Sequence, residues 1–114
     1  MNPRVIVRKT YALVQVAIAF MADASGRHWG YELSKQSGVR SGVMYPILAR
    51  MLDEGWLADG WEEQPQVGRA KRPLRRYYEL TDAGKAALGA VIAEARRDAR
   101  FAALVTRQAV RGHA

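Results

Sequence analysis

Cysteine is absent from these 114 residues, and with it go disulfide bridges, thiolate nucleophiles and cysteine-ligated zinc. Histidine occurs twice, at His28 and His113, a separation that lacks metal-ligand spacing, so no metal and no cofactor is expected. No serine stands in a nucleophile-elbow pattern, and no glycine run matches a phosphate-cradling loop. The carboxylates Asp53 with Glu54, and Glu62 with Glu63, are adjacent; neighbours on a helix or strand point apart, so both pairs read as solvated surface charge. These gaps argue against an enzyme. A membrane-spanning run is missing too: Tyr11 to Ala22 is interrupted by Gln15 and falls short of the about 20 residues a bilayer requires. Arg4, Arg8 and Lys9 before that run, with "ADAS" after it, imitate a signal peptide, yet cleavage would discard a helix that so short a domain needs for its core. A cytoplasmic protein without membrane association is expected.

Hydrophobic residues make up 49% and charged residues 25%, near the averages of folded proteins, so the chain is expected to form one compact unit. The net charge of +7 points to a polyanionic partner.

Along the chain the spacing predicts a helix from about Arg8 to Ala24 that is apolar on nearly every side and must therefore be covered on every side, in part by a second chain. "DASGRHWG" reads as a break. "YELSKQSG" reads as a short helix with Tyr31 and Leu33 inward, closing at Gly38. Ser41 is the expected cap of the next helix, in which Val43, Met44, Ile47, Leu48, Met51 and Leu52 recur at helical spacing until Gly55. "WLADGWEE" and "LRRYYEL" read as strands of a hairpin with a long loop, which places Trp29, Trp56 and Trp61 in the core or the hairpin. Thr81 is the expected cap of a last, alanine-rich helix reaching about Val110, with Asp82 in its first turn. On it Leu88, Val91, Ala95, Ala102 and Val105 form one narrow stripe of coiled-coil type that wants a partner helix. The fold class is mainly α with a small β-hairpin (α+β): a winged helix-turn-helix, residues 1–80 with the N-terminal helix, followed by a C-terminal dimerisation helix, residues 81–114.

The charge concentrates in one place. "PQVGRAKRPLRRYY", Pro65 to Tyr78, holds Arg69, Lys71, Arg72, Arg75 and Arg76 and no acid. On a projecting hairpin these cations repel one another, and a row of DNA phosphates relieves that repulsion by releasing counterions. In a helix-turn-helix the second helix enters the major groove by its N-terminal end. That puts Arg40, Ser41, Gly42 and Tyr45 near base edges, with Arg50 on the phosphate side; Tyr45 has the alternative of packing in the core. Pro46 sits just inside that end and disturbs the first turn or delays its start.

The pieces "WGYELSKQSGV", "SGVMYPILARMLDEGWL", "WEE" and "RRYYELTDAGKAAL" resemble the PadR family of bacterial transcriptional regulators. The likeness runs from Trp29 to Leu88. It implies a homodimer held by the terminal helices, through Leu13 and Ile18 in the first and the stripe on the last, two winged domains on a palindromic operator, and repression relieved by a small molecule or another signal. The single C-terminal helix is similar to the shorter PadR subfamily. Here the wing is longer than the usual "GGRPRRYY", and Phe101 is the aromatic that the last helix offers to an effector. The rival reading is an architectural or accessory DNA-binding protein of a mobile element, or a winged-helix adaptor that docks on protein.

Overall fold

The computed structural model describes residues 10–63 and 73–106. In chain order these form α1 (Tyr11–Met21), β1 (His28–Trp29), α2 (Gly30–Ser37), α3 (Ser41–Asp53), β2 (Leu57–Trp61), β3 (Arg76–Leu80) and α4 (Asp82–Arg97), and the chain is helical again over 102–106. The class is mainly α with a small antiparallel sheet, and the order is that of a winged helix-turn-helix.

α1 begins where the Thr10 hydroxyl accepts the Leu13 N–H at 3.2 Å, inside the range 8–24 expected from sequence. Leu13, Val16, Ala17 and Phe20 pack with Leu33, Met44, Leu48, Met51, Leu57, Tyr78, Leu80 and Leu88 in the main core. Val14 and Ile18, on its other side, pack with Ala95, Phe101 and Val105. Burying each such aliphatic or aromatic side chain is worth about 1.5–3 kcal/mol, so α1 is the element around which both clusters form. The side of α1 expected to meet a second chain is covered here by the chain's own C-terminal part.

The "DASGRHWG" segment holds a strand that the sequence did not announce. β1 pairs with β3 (His28 opposite Tyr78, Trp29 opposite Tyr77) and gives a three-stranded sheet in the order β1-β3-β2. His28 is thereby buried, its ring edge-on to Phe20 with centroids 4.8 Å apart and its Nε2 2.8 Å from the Asp23 carbonyl. α2 closes at Gly38 in the left-handed region (φ 77°), where a side chain would be strained. Leu33 faces in, but Tyr31 is exposed. A helix of two turns has one inward row, and Leu33 takes it.

The N-cap of α3 is Arg40; Ser41 is its first helical residue, and no side chain caps it. Both the Val43 and Met44 N–H groups donate to the Arg40 carbonyl (3.0 and 2.9 Å), and the helix runs on through Pro46. It ends in a Schellman motif, with Trp56 N–H on Met51 O at 2.9 Å, Gly55 N–H on Leu52 O at 3.1 Å and Gly55 at φ 76°.

α4 starts as expected, the Thr81 hydroxyl accepting the Gly84 N–H at 3.0 Å, but it stops at Arg97 and does not continue to about Val110. Asp98 adopts an extended backbone (φ −105°, ψ 118°). Its carboxylate accepts the Arg100 N–H at 3.0 Å, and its carbonyl accepts from Phe101 and Ala102 (2.9 and 3.0 Å), which restarts the helix in a new direction. The turn is clasped by α1: the Tyr11 hydroxyl donates to the Arg100 carbonyl at 2.5 Å, and the Tyr11 and Phe101 rings meet edge-on at 5.1 Å. Alanine propensity alone favours a continuous helix, but burying Phe101 and Val105 against α1 overrides it. The continuous stripe is therefore corrected. Leu88 belongs to the main core, Ala95 and Val105 to the second cluster, and Val91 and Ala102 are half-buried. Leu13 and Ile18 are likewise buried within this chain.

Candidate nucleic-acid interface

The exposed end of α3 combines small residues with one large ring. Arg40, Ser41, Gly42 and Tyr45 are all exposed, as is Arg50 a turn further on, while Met44, Leu48 and Met51 anchor the opposite face in the core. The Ser41 and Gly42 amides fall at positions where a helix supplies no internal acceptor. Proline 46 adds a second irregularity, for it has no N–H to give the Gly42 carbonyl. The ring of Tyr45 crosses Gly30 so closely that a Cβ there would overlap the Tyr45 hydroxyl. Glycine at the start of α2 thus makes room for an aromatic of the next helix, and Tyr45 leans on that backbone while remaining 46% exposed. Tyr45 thus lies outside the core, so the packing alternative is not the one adopted.

Beside this end lies one face of the sheet. Leu57 opposite Leu80, Asp59 opposite Tyr78 and Trp61 opposite Arg76 share that face, because side chains alternate along a strand. Its inner part, Leu57, Tyr78 and Leu80, is core. Its outer part carries Asp59, Arg76 and Trp61; of the two places expected for Trp61, core or hairpin, it takes the hairpin, where it is 61% exposed. The Arg76 Nε donates to Asp59 Oδ2 at 2.7 Å, with a second, shorter bond from Nη2. That bond raises the Arg76 pKa, and burial pushes the Tyr78 phenol up against the opposing Arg76 charge, with the Tyr45 phenol adding to the rise. Tyr45, Arg76 and Asp59 therefore each lie within electrostatic reach of Tyr78, which stands between the end of α3 and the base of the wing.

The other sheet face carries Glu79, Tyr77 and Trp29. Arg27 stacks over Tyr77 at 4.1 Å and pairs with Glu79 at 3.7 Å; Arg75 lies over the Trp29 ring at 5.3 Å. Tyr77 in turn crosses Gly60, where a Cβ would meet its hydroxyl at 2.5 Å. Glu62, read from sequence as surface charge, is buried and binds Arg75. Alternation puts Glu62 on the face of Gly60 and Tyr77, opposite that of Leu57, and its burial there comes from pairing with Arg75, a partner distant in sequence. Of the expected basic contacts, Arg69, Lys71 and Arg72 lie outside the described residues.

Among the described residues no group of histidine and carboxylate side chains could hold a metal ion, and no helix is long and apolar enough to cross a membrane.

A small-residue helix end set beside an arginine-bearing wing defines a winged-helix DNA-binding protein. The chain belongs to the PadR-like family of transcriptional regulators, whose family model matches residues 24–90, more than half of its length. It is similar to a PadR family transcriptional regulator of Eggerthella lenta (25% identity, TM-score 0.54, covering 70% of each chain). A PadR-like transcriptional regulator of Bacillus cereus is 26% identical with a TM-score of 0.52, over 69% of this chain and 77% of that one. A PadR family regulator of Clostridium difficile shares the fold at 24% identity and TM-score 0.55, over 85% of this chain and 97% of that one. No match was found among curated proteins.

Proposed function

We propose that this regulator binds double-stranded DNA sequence-specifically, as a homodimeric cytoplasmic repressor on a palindromic operator. The observation that carries the reading is the exposed N-terminal end of α3, with Ser41, Gly42 and Tyr45 presented over a fully packed inner face. Small side chains let a helix approach base edges closely, a serine hydroxyl serves several bases, and the first amides of a helix suit a phosphate. Arg40 and Arg50 flank that end, and Arg76 with Arg69, Lys71 and Arg72 of the wing supplies phosphate contacts.

For dimerisation the half-buried Val91 and Ala102 remain as pairing positions on the outer flank of α4 and the segment after it. Ile18, Ala95 and Val105 enter a dimer only if the part beyond Asp98 is exchanged between copies, while Leu13 and Leu88 are committed to the main core. Val91→Arg is expected to give monomers by light scattering. Relief by a small molecule follows from the family likeness; the face of Phe101 is already covered by the Arg100 guanidinium at 4.9 Å, so an aromatic sandwich on that ring requires the turn to open.

The test is selection of bound duplexes from a random pool near physiological salt. A recovered palindrome with half-sites roughly 10 bp apart, or a multiple of that, is the expected result. Recovery without sequence preference, with marked bending, would replace this reading by an architectural one. Binding that is weak and purely electrostatic would favour an adaptor.

A further inference from the structure

Arg75 and Arg76 are neighbours at the start of β3, and their side chains are equally exposed at 43%. Their acid partners differ. Asp59, the partner of Arg76, is 34% exposed, whereas Glu62, the partner of Arg75, is 5% exposed. Glu62 holds Arg75 at main chain and side chain together. One carboxylate oxygen accepts the Arg75 N–H at 3.1 Å and the other accepts from its Nε at 3.4 Å, while the Glu62 N–H donates to the Arg75 carbonyl at 2.9 Å. This exchange carries the β2–β3 ladder one step beyond the Trp61–Arg76 pair. From that anchor the guanidinium lies over the Trp29 ring at 5.3 Å and brings Nη1 to 3.7 Å from Glu32 Oε2 on α2.

A phosphate can displace Asp59 from Arg76, because water takes over the freed carboxylate. Taking Arg75 from Glu62 would break an ion pair and a charged hydrogen bond at a carboxylate that is 5% exposed, a more expensive exchange than at Asp59, which water reaches. We propose that Arg75 is a positioning residue and not a phosphate contact: with Glu62 as anchor and Glu32 and Trp29 as far supports, it locks the base of the wing onto the start of α2. The wing then meets DNA at a fixed angle to α3. This rests on the DNA-binding reading given above.

The lock and a simple charge effect predict opposite signs. Glu62→Gln removes a negative charge beside the wing, so electrostatics alone predicts tighter binding to any duplex. The lock predicts at least about fivefold weaker binding to the selected operator, with binding to an unrelated duplex unchanged or tighter. Arg75→Lys keeps the charge but loses the planar fork that serves two partners, so the lock predicts that it binds the operator as poorly as Arg75→Ala. Wild-type affinity of either Glu62→Gln or Arg75→Lys would overturn the proposal. Hydrogen exchange in the free protein decides without DNA: in both variants the backbone amide at position 62 is expected to exchange at least about tenfold faster while the α3 amides keep their wild-type rates. Unchanged exchange at position 62, or acceleration spread equally through α3, would overturn the lock. If wild-type protein selects no operator, the DNA reading fails and the exchange result alone judges the lock.

Discussion

The end of α3 and the base of the wing lie side by side, yet they are built from opposite materials. The helix end offers Ser41, Gly42 and Tyr45, with exposed charge only at its flanks, Arg40 and Arg50, and its shape is fixed from behind by Met44, Leu48 and Met51. The wing base offers arginines, and what fixes them is acid: Asp59 for Arg76, Glu62 and Glu32 for Arg75. Packing positions one region and ion pairing the other. An apolar core holds a helix in place without regard to salt, so fit to base edges is reproducible. The exposed pair of Arg76 with Asp59 weakens with ionic strength and exchanges partners readily, which under the proposed function suits an arginine that trades a carboxylate for a phosphate. Under the proposed function, sequence preference belongs to α3 and salt-dependent anchoring to the wing.

The largest effect is expected behind the helix end. Leu48→Ala removes a side chain that is 1% exposed and should cost about 2–5 kcal/mol of stability, read by urea denaturation; Ser41→Ala, on the exposed side of the same helix, should cost under ~0.5 kcal/mol. Equal losses would break the division between the two faces. Next comes Arg76→Ala, which should weaken binding to every duplex and lower the salt slope by about one per protomer. Asp59→Asn should act in the other direction, since it frees Arg76 from its carboxylate: binding to unrelated DNA tightens by a few-fold, measured by fluorescence anisotropy over a salt series.

The smallest effect concerns pH. Burial raises the Tyr78 phenol, so its folded pKa lies above the unfolded value near ~10. A group raised in this way contributes stability that is complete below the unfolded pKa and is lost as pH rises through the folded one. Wild-type stability should therefore fall faster than that of Tyr78→Phe above about pH 10. Parallel profiles for the two proteins would mean that Tyr78 ionises as readily when folded as when unfolded.

Much of this was legible in the chain because it is local. The periodicity of Met44, Leu48 and Met51 marks α3, Gly38 and Gly55 mark helix ends by their left-handed backbone, and the Thr81 hydroxyl marks the start of α4. What escaped was set by partners distant in sequence. β1 is two residues long and exists because Tyr77 and Tyr78 arrive opposite it. The helix break at Asp98 depends on Tyr11, although the aspartate two residues before Arg100 was a cap signal in plain view. Tyr31 is apolar enough to suggest an inward place, but its two-turn helix has room for Leu33 alone. Ser41 looked like a cap because serine commonly caps, yet the backbone of Arg40 already occupies that position. In the site, Arg76 and the end of α3 were readable from charge and order. The acids that restrain the arginines were not, since the pairs depend on β2–β3 register.

The division of labour is tested most directly by repeating the duplex selection with two variants, Ser41→Ala and Arg76→Ala, beside the wild type. The account predicts that Ser41→Ala changes the recovered sequence at conserved salt slope, and that Arg76→Ala recovers the wild-type sequence at a slope lower by about one per protomer. An Arg76→Ala protein that selects a different sequence, or a Ser41→Ala protein that selects the same one, would contradict it.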